Sequence, residues 1–387
     1  MGCAVYPFDE PPVHALPPRS SAGDAQPARS RPALEFPLLA PDAGKVELPT
    51  RSTPRPAASQ RVVILSFGDA AELVAASAVT RRLREARPDV EITLWCPAST
   101  AAVGALLPGV DIREVAPPFW TRFRRGGRAP SFAFARHALG MRARRFDIAI
   151  VTSASRNAAV LATITGARIR IGAAARGTRR WFTDSVDFPP GGHPTPVALS
   201  RLLMPLGITP DPDARYSLDT GPLEAARERV RYRMGRRPVA LHPFAARGAQ
   251  CLPLKFWIRA AIELQQRGYE PLWIGSAQEL TVVHRAIGSA AWRYADRLGD
   301  GTFGDTVAAL SLSHLFIGHD AAPLHIAAAF GVPAVAVHAD GVPADGGTHG
   351  DGRAESVVAE GPDALTEREI LAAVDRLPNA PPLRLVR

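Results

Sequence analysis

From Arg61 onward, apolar and polar positions fall into short alternating blocks. Val62-Val63-Ile64-Leu65 is a continuous apolar run, as expected of a strand buried on both faces. A helical pattern follows through Leu73, Val74, Ser77, Ala78 and Leu83 to about Ala86, and Pro88-Asp89 breaks it. The alternation continues with strands at 90–95, 110–115, 147–152 and 168–172 and helices near 98–107, 131–144 and 157–165. Pro205, Pro210, Pro212 and Pro222 punctuate a connection, after which the rhythm restarts. Strands are then predicted at 238–242, 271–274, 314–318 and 333–338, with helices at 253–267, 276–288, 304–312, 321–330 and 363–376. Gly268 and Gly331 stand where helix C-caps belong.

Strands alternating with helices favour parallel sheets. Two such units of similar size predict an α/β chain of two doubly wound, Rossmann-like domains facing a cleft. A single (β/α)₈ barrel of about 320 residues competes with this, and the Pro-rich break argues against it. The division is 61–215, 216–378 and a short tail at 379–387. Residues 1–60 hold twelve of the 37 prolines and neither period, which predicts a disordered Pro-rich tail. That tail lacks the apolar core of a signal peptide.

Composition narrows the function. No apolar run of 18 residues is present, so no spanning helix is expected. Cys3, Cys96 and Cys251 are far apart and offer neither a disulfide framework nor a zinc finger, which fits a reducing cytoplasm. The ten histidines are scattered and suggest no metal cluster. The net charge of +9 is uneven: from Arg113 to Arg180 there are fifteen arginines against Glu114 and Asp147. Such a stretch suggests an anionic partner, whether nucleic acid, a phosphorylated lipid surface or a phosphosugar. No helix-turn-helix or finger supports nucleic acid.

The strongest local signal is Ile317-Gly318-His319-Asp320-Ala321-Ala322-Pro323-Leu324-His325-Ile326-Ala327-Ala328-Ala329. A strand ends at Gly318, Asp320 sits where an N-cap is expected, and Pro323 falls in the first helical turn. The free N–H groups of Ala321 and Ala322 would then offer a seat for a diphosphate. An ordinary well-capped helix would show the same spacing.

These residues resemble the heptosyltransferases of lipopolysaccharide core synthesis, glycosyltransferase family 9. Asp320, His325, Ala327-Ala328-Ala329 and Gly331-Val332-Pro333-Ala334-Val335-Ala336 match its D-[ST]-G-x-x-H-x-A-A-A and G-x-P-x-V-A signature at the same spacing. Phe146-Asp147-Ile148-Ala149-Ile150-Val151, Leu241-His242-Pro243 and Gly275-Ser276-Ala277-Gln278-Glu279 resemble further family segments, and the likeness runs from about 61 to 376. The resemblance implies a GT-B fold, with the acceptor in the first domain and the donor in the second. It implies inverting transfer of a heptose from ADP-heptose to a lipopolysaccharide-core hydroxyl, with no obligatory metal and no other cofactor. Glu279 would bind the ribose hydroxyls. The partners would be the nucleotide-sugar, an anionic glycolipid and, peripherally, the inner face of the cytoplasmic membrane.

Three departures stand out. The Asp expected as general base falls on Glu72 in the gapless register, while a Gly68-Asp69 pair lies three residues earlier. Both acids are candidates, and Glu72 is favoured. Gln250 stands where a phosphate-binding Lys is expected, with Arg247 three residues before it. Ala321-Ala322 replaces [ST]-G. Such changes raise a second class, a glycosyltransferase-like protein that binds without transfer. Arg122, Arg124, Arg125 and Arg128 occupy a Gly-containing loop of the first domain and would contact the acceptor.

Overall fold

The computed structural model describes residues 60–116, 131–153, 155–174, 177–188, 195–245, 251–287, 293–294, 302–339, 350, 354–358, 361 and 365–377. The proposed tail, the Arg122–Arg128 loop, and Arg247 with Gln250 lie outside them.

The first unit runs β1 Arg61–Leu65, α1 Ala70–Ala75, α2 Ser77–Ala86, β2 Glu91–Pro97, α3 Ala101–Gly104, β3 Ile112–Ala116, α4 Ser131–Ala143, β4 Ile148–Val151, α5 Arg156–Ile164, β5 Ile169–Ala173 and β6 Asp184–Val186. Helices α6 Pro196–Ser200 and α7 Glu224–Arg231 lead to the second. That unit runs β7 Pro238–His242, α8 Leu254–Gln266, β8 Glu270–Trp273, α9 Ala277–Ile287, β9 Arg293–Tyr294, α10 Phe303–Leu312, β10 Leu315–His319, α11 Ala322–Ala329, β11 Ala334–His338, β12 Ala354–Val358 and α12 Glu367–Arg376.

The strand orders are β3-β2-β1-β4-β5-β6 and β12-β11-β10-β7-β8-β9, all parallel. Each is an open doubly wound sheet whose order reverses once, between β1 and β4 and between β7 and β10. The barrel alternative is thereby excluded.

Local chemistry accounts for the elements. In β1, Val62 and Ile64 enter one core and Val63 and Leu65 the other, so the apolar run has no polar face. Thr302 and Asp305 close a capping box on α10, and Thr366 and Glu369 do so on α12. Gly331, at φ +72°, ends α11 as expected. The expected single helix to Ala86 is instead two, divided at Ala76. Beside the break, Ser77 turns its buried hydroxyl away from the helix to accept the Ser217 N–H at 2.9 Å. β6, β9 and β12 are additional to the expected strands and end the sheets.

A single apolar cluster passes between the two units. It holds Ile64, Leu73 and Val74 of the first, Leu203 and Tyr216 of the connection, and Phe316, Leu324, Ala327 and Ala328 of the second. Helix α1 packs directly on α11.

Candidate active site

In open α/β sheets, ligands bind outside the carboxyl ends of the strands where the strand order reverses. In the first unit that point is the turn after β1. Asp69 is exposed and caps α1: its carboxylate accepts the Glu72 N–H at 3.0 Å. Glu72, in the first turn, folds back over Gly68. A Cβ at Gly68 would stand 1.7 Å from Glu72 Oε2, so only glycine leaves room for the carboxyl. Glu72 Oε1 is buried and has no hydrogen-bond partner among the described residues. Burial, and after it the charge of Asp69, push the Glu72 carboxyl up to about 8. The two acids differ in setting: Asp69 holds the helix start, and Glu72 presents a half-buried carboxyl with one oxygen turned inward.

In the second unit the corresponding point lies between His242 at the end of β7 and Asp320 after β10. The expected N-cap role of Asp320 is not what the structure shows. Ala321 is the N-cap, without a side-chain bond, and Asp320 Oδ1 instead meets His325 Nε2 at 3.0 Å. The reason is reach: His325, in the second turn of α11, points back toward the strand end and takes the carboxylate. His325 is nearly buried, and its Nδ1 has no partner among the described residues. Tyr216, from the connection between the units, packs edge-on against that imidazole at 5.5 Å. Burial and the Asp320 charge raise the Tyr216 hydroxyl well above its ordinary value. Pro323 is in the first turn as expected, and Ala321 and Ala322 precede it at the open end of the helix.

Glu279 occupies the start of α9. Its Oε2 accepts from Ser276 N at 2.7 Å and from Ser276 Oγ at 2.9 Å. Gly275 lies against it, where a Cβ would be 3.2 Å from Oε2. One carboxylate oxygen is therefore used to shape the turn.

Two histidines without an assigned role in the sequence are structural parts of this pole. His319 is buried; its Nδ1 donates to Val337 O at 3.0 Å and its Nε2 accepts the Leu252 N–H at 3.0 Å. It thereby ties the segment entering α8 to β10. His242 is buried, and its surroundings hold it neutral by lowering it to about 4. Gly318 permits this packing, since a Cβ there would stand 2.8 Å from His242 O. His319 lies inside the quoted signature, yet only the strand pairing reveals its partner.

Because α1 packs on α11, the structure brings Glu72 to the same inter-unit seam as the Asp320–His325 helix. Among the described residues, no group of three or more His, Cys, Asp or Glu could hold a metal ion. Nor is any helix there long and apolar enough to cross a membrane.

Comparison with known proteins agrees with this architecture. A glycosyltransferase family 9 protein from Veillonella parvula superposes with a TM-score of 0.69 at 18% identity, covering 82% of this chain and 96% of that one. E. coli ADP-heptose lps heptosyltransferase II gives 0.66 at 17% identity, with coverages of 82% and 98%. E. coli heptosyltransferase WaaC with ADP gives 0.66 at 15%, with coverages of 82% and 99%. These likenesses establish the GT-B fold. No curated protein matches in sequence. The sequence model of glycosyltransferase family 9 (heptosyltransferase) matches residues 134–356, more than half of the chain. The chain therefore belongs to glycosyltransferase family 9, the heptosyltransferase family, and is a glycosyltransferase.

Proposed function

We propose that this protein transfers a heptose from ADP-heptose to a hydroxyl of a lipopolysaccharide-core or similar anionic glycan, with inversion. The observation that carries the reading is the half-buried carboxyl of Glu72, raised to about 8, on a helix packed against α11. A base of that strength suits proton removal from an alcohol as it attacks. The acceptor oxygen bonds to the anomeric carbon, its proton passes to Glu72, and the bond from that carbon to the ADP oxygen breaks. The departing charge resides on the diphosphate.

The start of α11 at Ala321 and Ala322, which no side chain caps, is suited to that charge. His325, steadied by Asp320 and Tyr216, stands one turn further in. Arg247 and Gln250 belong to the phosphate side by their sequence position, and Glu279 to the ribose. Arg122, Arg124, Arg125 and Arg128 are assigned to the carboxylates and phosphates of the acceptor and of an anionic membrane face on the cytoplasmic side. Structures with ADP and with ADP-2-deoxy-2-fluoro heptose exist for E. coli WaaC, which shares the fold, and they favour this donor class.

The test is a thermal-shift titration with ADP-heptose, followed by ADP release in the presence of a heptose-free core acceptor. At about a hundred times its dissociation constant, a ligand stabilises by roughly 2.7 kcal/mol, which gives a shift of several degrees. A shift without ADP release from any acceptor would leave binding without transfer. The absence of a shift would remove the donor assignment.

A further inference from the structure

At the reversal point of the first sheet, the ladder continues one residue past the strands. Thr152 N–H donates to Leu65 O at 3.2 Å, and Ser66 N–H to Trp95 O at 3.1 Å. Leu65 pairs with Val151, so Ser66 and Thr152 are lateral neighbours on strands about 4.8 Å apart. Side chains alternate along a strand. Ile64 and Ile150 belong to the cluster that includes α1, whereas Leu65 and Val151 belong to the opposite one. Ser66 and Thr152 therefore turn their hydroxyls toward the α1 side. Their exposures are 1% and 0%, and neither hydroxyl oxygen has a partner among the described residues.

Glu72 Oε1, on the helix that follows β1, is likewise buried and without a partner among the described residues. The turn that delivers it is held down by Phe67 N–H on Ser153 Oγ at 3.4 Å, and its carboxyl rests on Gly68, two residues beyond Ser66. Buried oxygens without partners are unfavourable, and in native proteins they ordinarily have one.

The geometry points to a hydroxyl-binding subsite in which Ser66 and Thr152 hold an alcohol or water oxygen against Glu72. This rests on the reading of Glu72 as the base. One side-chain hydroxyl donates to the guest oxygen and the other to the carboxyl, while the guest donates its own proton to Glu72. One lone pair of the guest stays free to attack the anomeric carbon. The subsite selects a neutral hydroxyl, because Glu72 and Asp69 would repel a carboxylate or phosphate there. The elements packed on α1 bring His325 from α11, with Asp320 and Tyr216 beside it, and Arg81, Arg82, Arg84 and Glu85 from α2; α3 brings no titratable group. Asp69 is the charge that adds to the upward push on Glu72. Ser66 and Thr152 are positioning residues in this scheme.

The test uses the full chain and Ser66→Ala, Thr152→Val and the double variant, with Thr152→Ser as the conservative control. The first measurement needs no activity: melting temperature against pH from 5 to 9.5, in which Glu72 gives an inflection near 8 that Glu72→Gln lacks. The double variant is expected to move that inflection up by about one pH unit, and Thr152→Ser to leave it in place. The second measurement is KM for acceptor and donor. A severalfold rise in acceptor KM with donor KM unchanged identifies the guest as the acceptor alcohol. A moved inflection with both KM values unchanged identifies it as water. If neither quantity moves, or if the wild type shows no inflection, the subsite is refuted. If no acceptor is turned over, the proposed transfer fails while the inflection still reads the subsite. If the double variant does not fold, the single variants carry the same comparison.

Discussion

Glu72→Gln separates the stability of the site from its chemistry. The folded chain holds the Glu72 proton up to about pH 8, whereas the free side chain releases it near 4.5. Between these values the unfolded state has lost a proton that the folded state keeps, so stability falls as pH rises. The slope is about 1.4 kcal/mol per pH unit. By pH 7 the deficit relative to acid is roughly 3 kcal/mol, and above pH 8 it levels off at about 5 kcal/mol. Glutamine keeps the shape and has no such proton to lose. The variant should therefore melt higher than wild type by roughly 6–12 °C at pH 7, at about 2–4 °C per kcal/mol. The gap should widen at pH 8.5 and nearly close at pH 5. Transfer should fall by about 10²–10⁴ while the thermal shift with ADP-heptose persists. Calorimetry at the three pH values and ADP-release rates provide the data. Parallel pH slopes for the two proteins, or a variant that melts lower throughout, would refute the argument that a carboxyl raised by burial and by Asp69 sits at this seam.

The same titration governs rate: transfer should climb with pH through about 8 as Glu72 ionises, and initial rates flat from pH 6 to 9 would rule it out as base. Gly68→Ala puts a methyl group where Glu72 Oε2 now lies, at 1.7 Å. Transfer should drop at least about tenfold with donor binding retained, and unchanged kinetics would mean that the carboxyl is free to move. Arg229→Ala strips the wholly buried Asp305 of a cation 2.8 Å away. Urea unfolding should register a loss of about 2–4 kcal/mol, and a loss below about 0.5 kcal/mol would show that the capping bonds of Asp305 suffice.

Much of this was legible in the chain because period and punctuation speak directly about backbone. Val62–Leu65 reads as a doubly buried strand, and Gly331 as a helix stop, since each is decided within a few residues. The site was less legible. Asp320 looked like a cap because residue type and position both suited one, and its true partner, His325, wins through side-chain reach. That Asp69 is an exposed cap while Glu72 turns a carboxyl oxygen inward shows only in the folded turn after β1. Ser66, Thr152 and Tyr216 carry no local signal. They matter through neighbours that only the strand pairing and the domain seam supply. β9 and β12 were missed because a two-residue strand and the half-exposed Ala354–Val358 lack a readable apolar pattern.

The apolar cluster that runs from Ile64 through Tyr216 to Leu324 also bears on how such a protein can be rebuilt. Its two halves do not behave as separable cartridges. Exchanging the donor half for that of another enzyme, by cutting in the connection, would leave Leu73 and Val74 facing a foreign α11 and Tyr216 without His325. A workable exchange has to carry α1, the connection and α11 together as one inheritance unit. The segment that changes what is bound therefore brings its own seam with it.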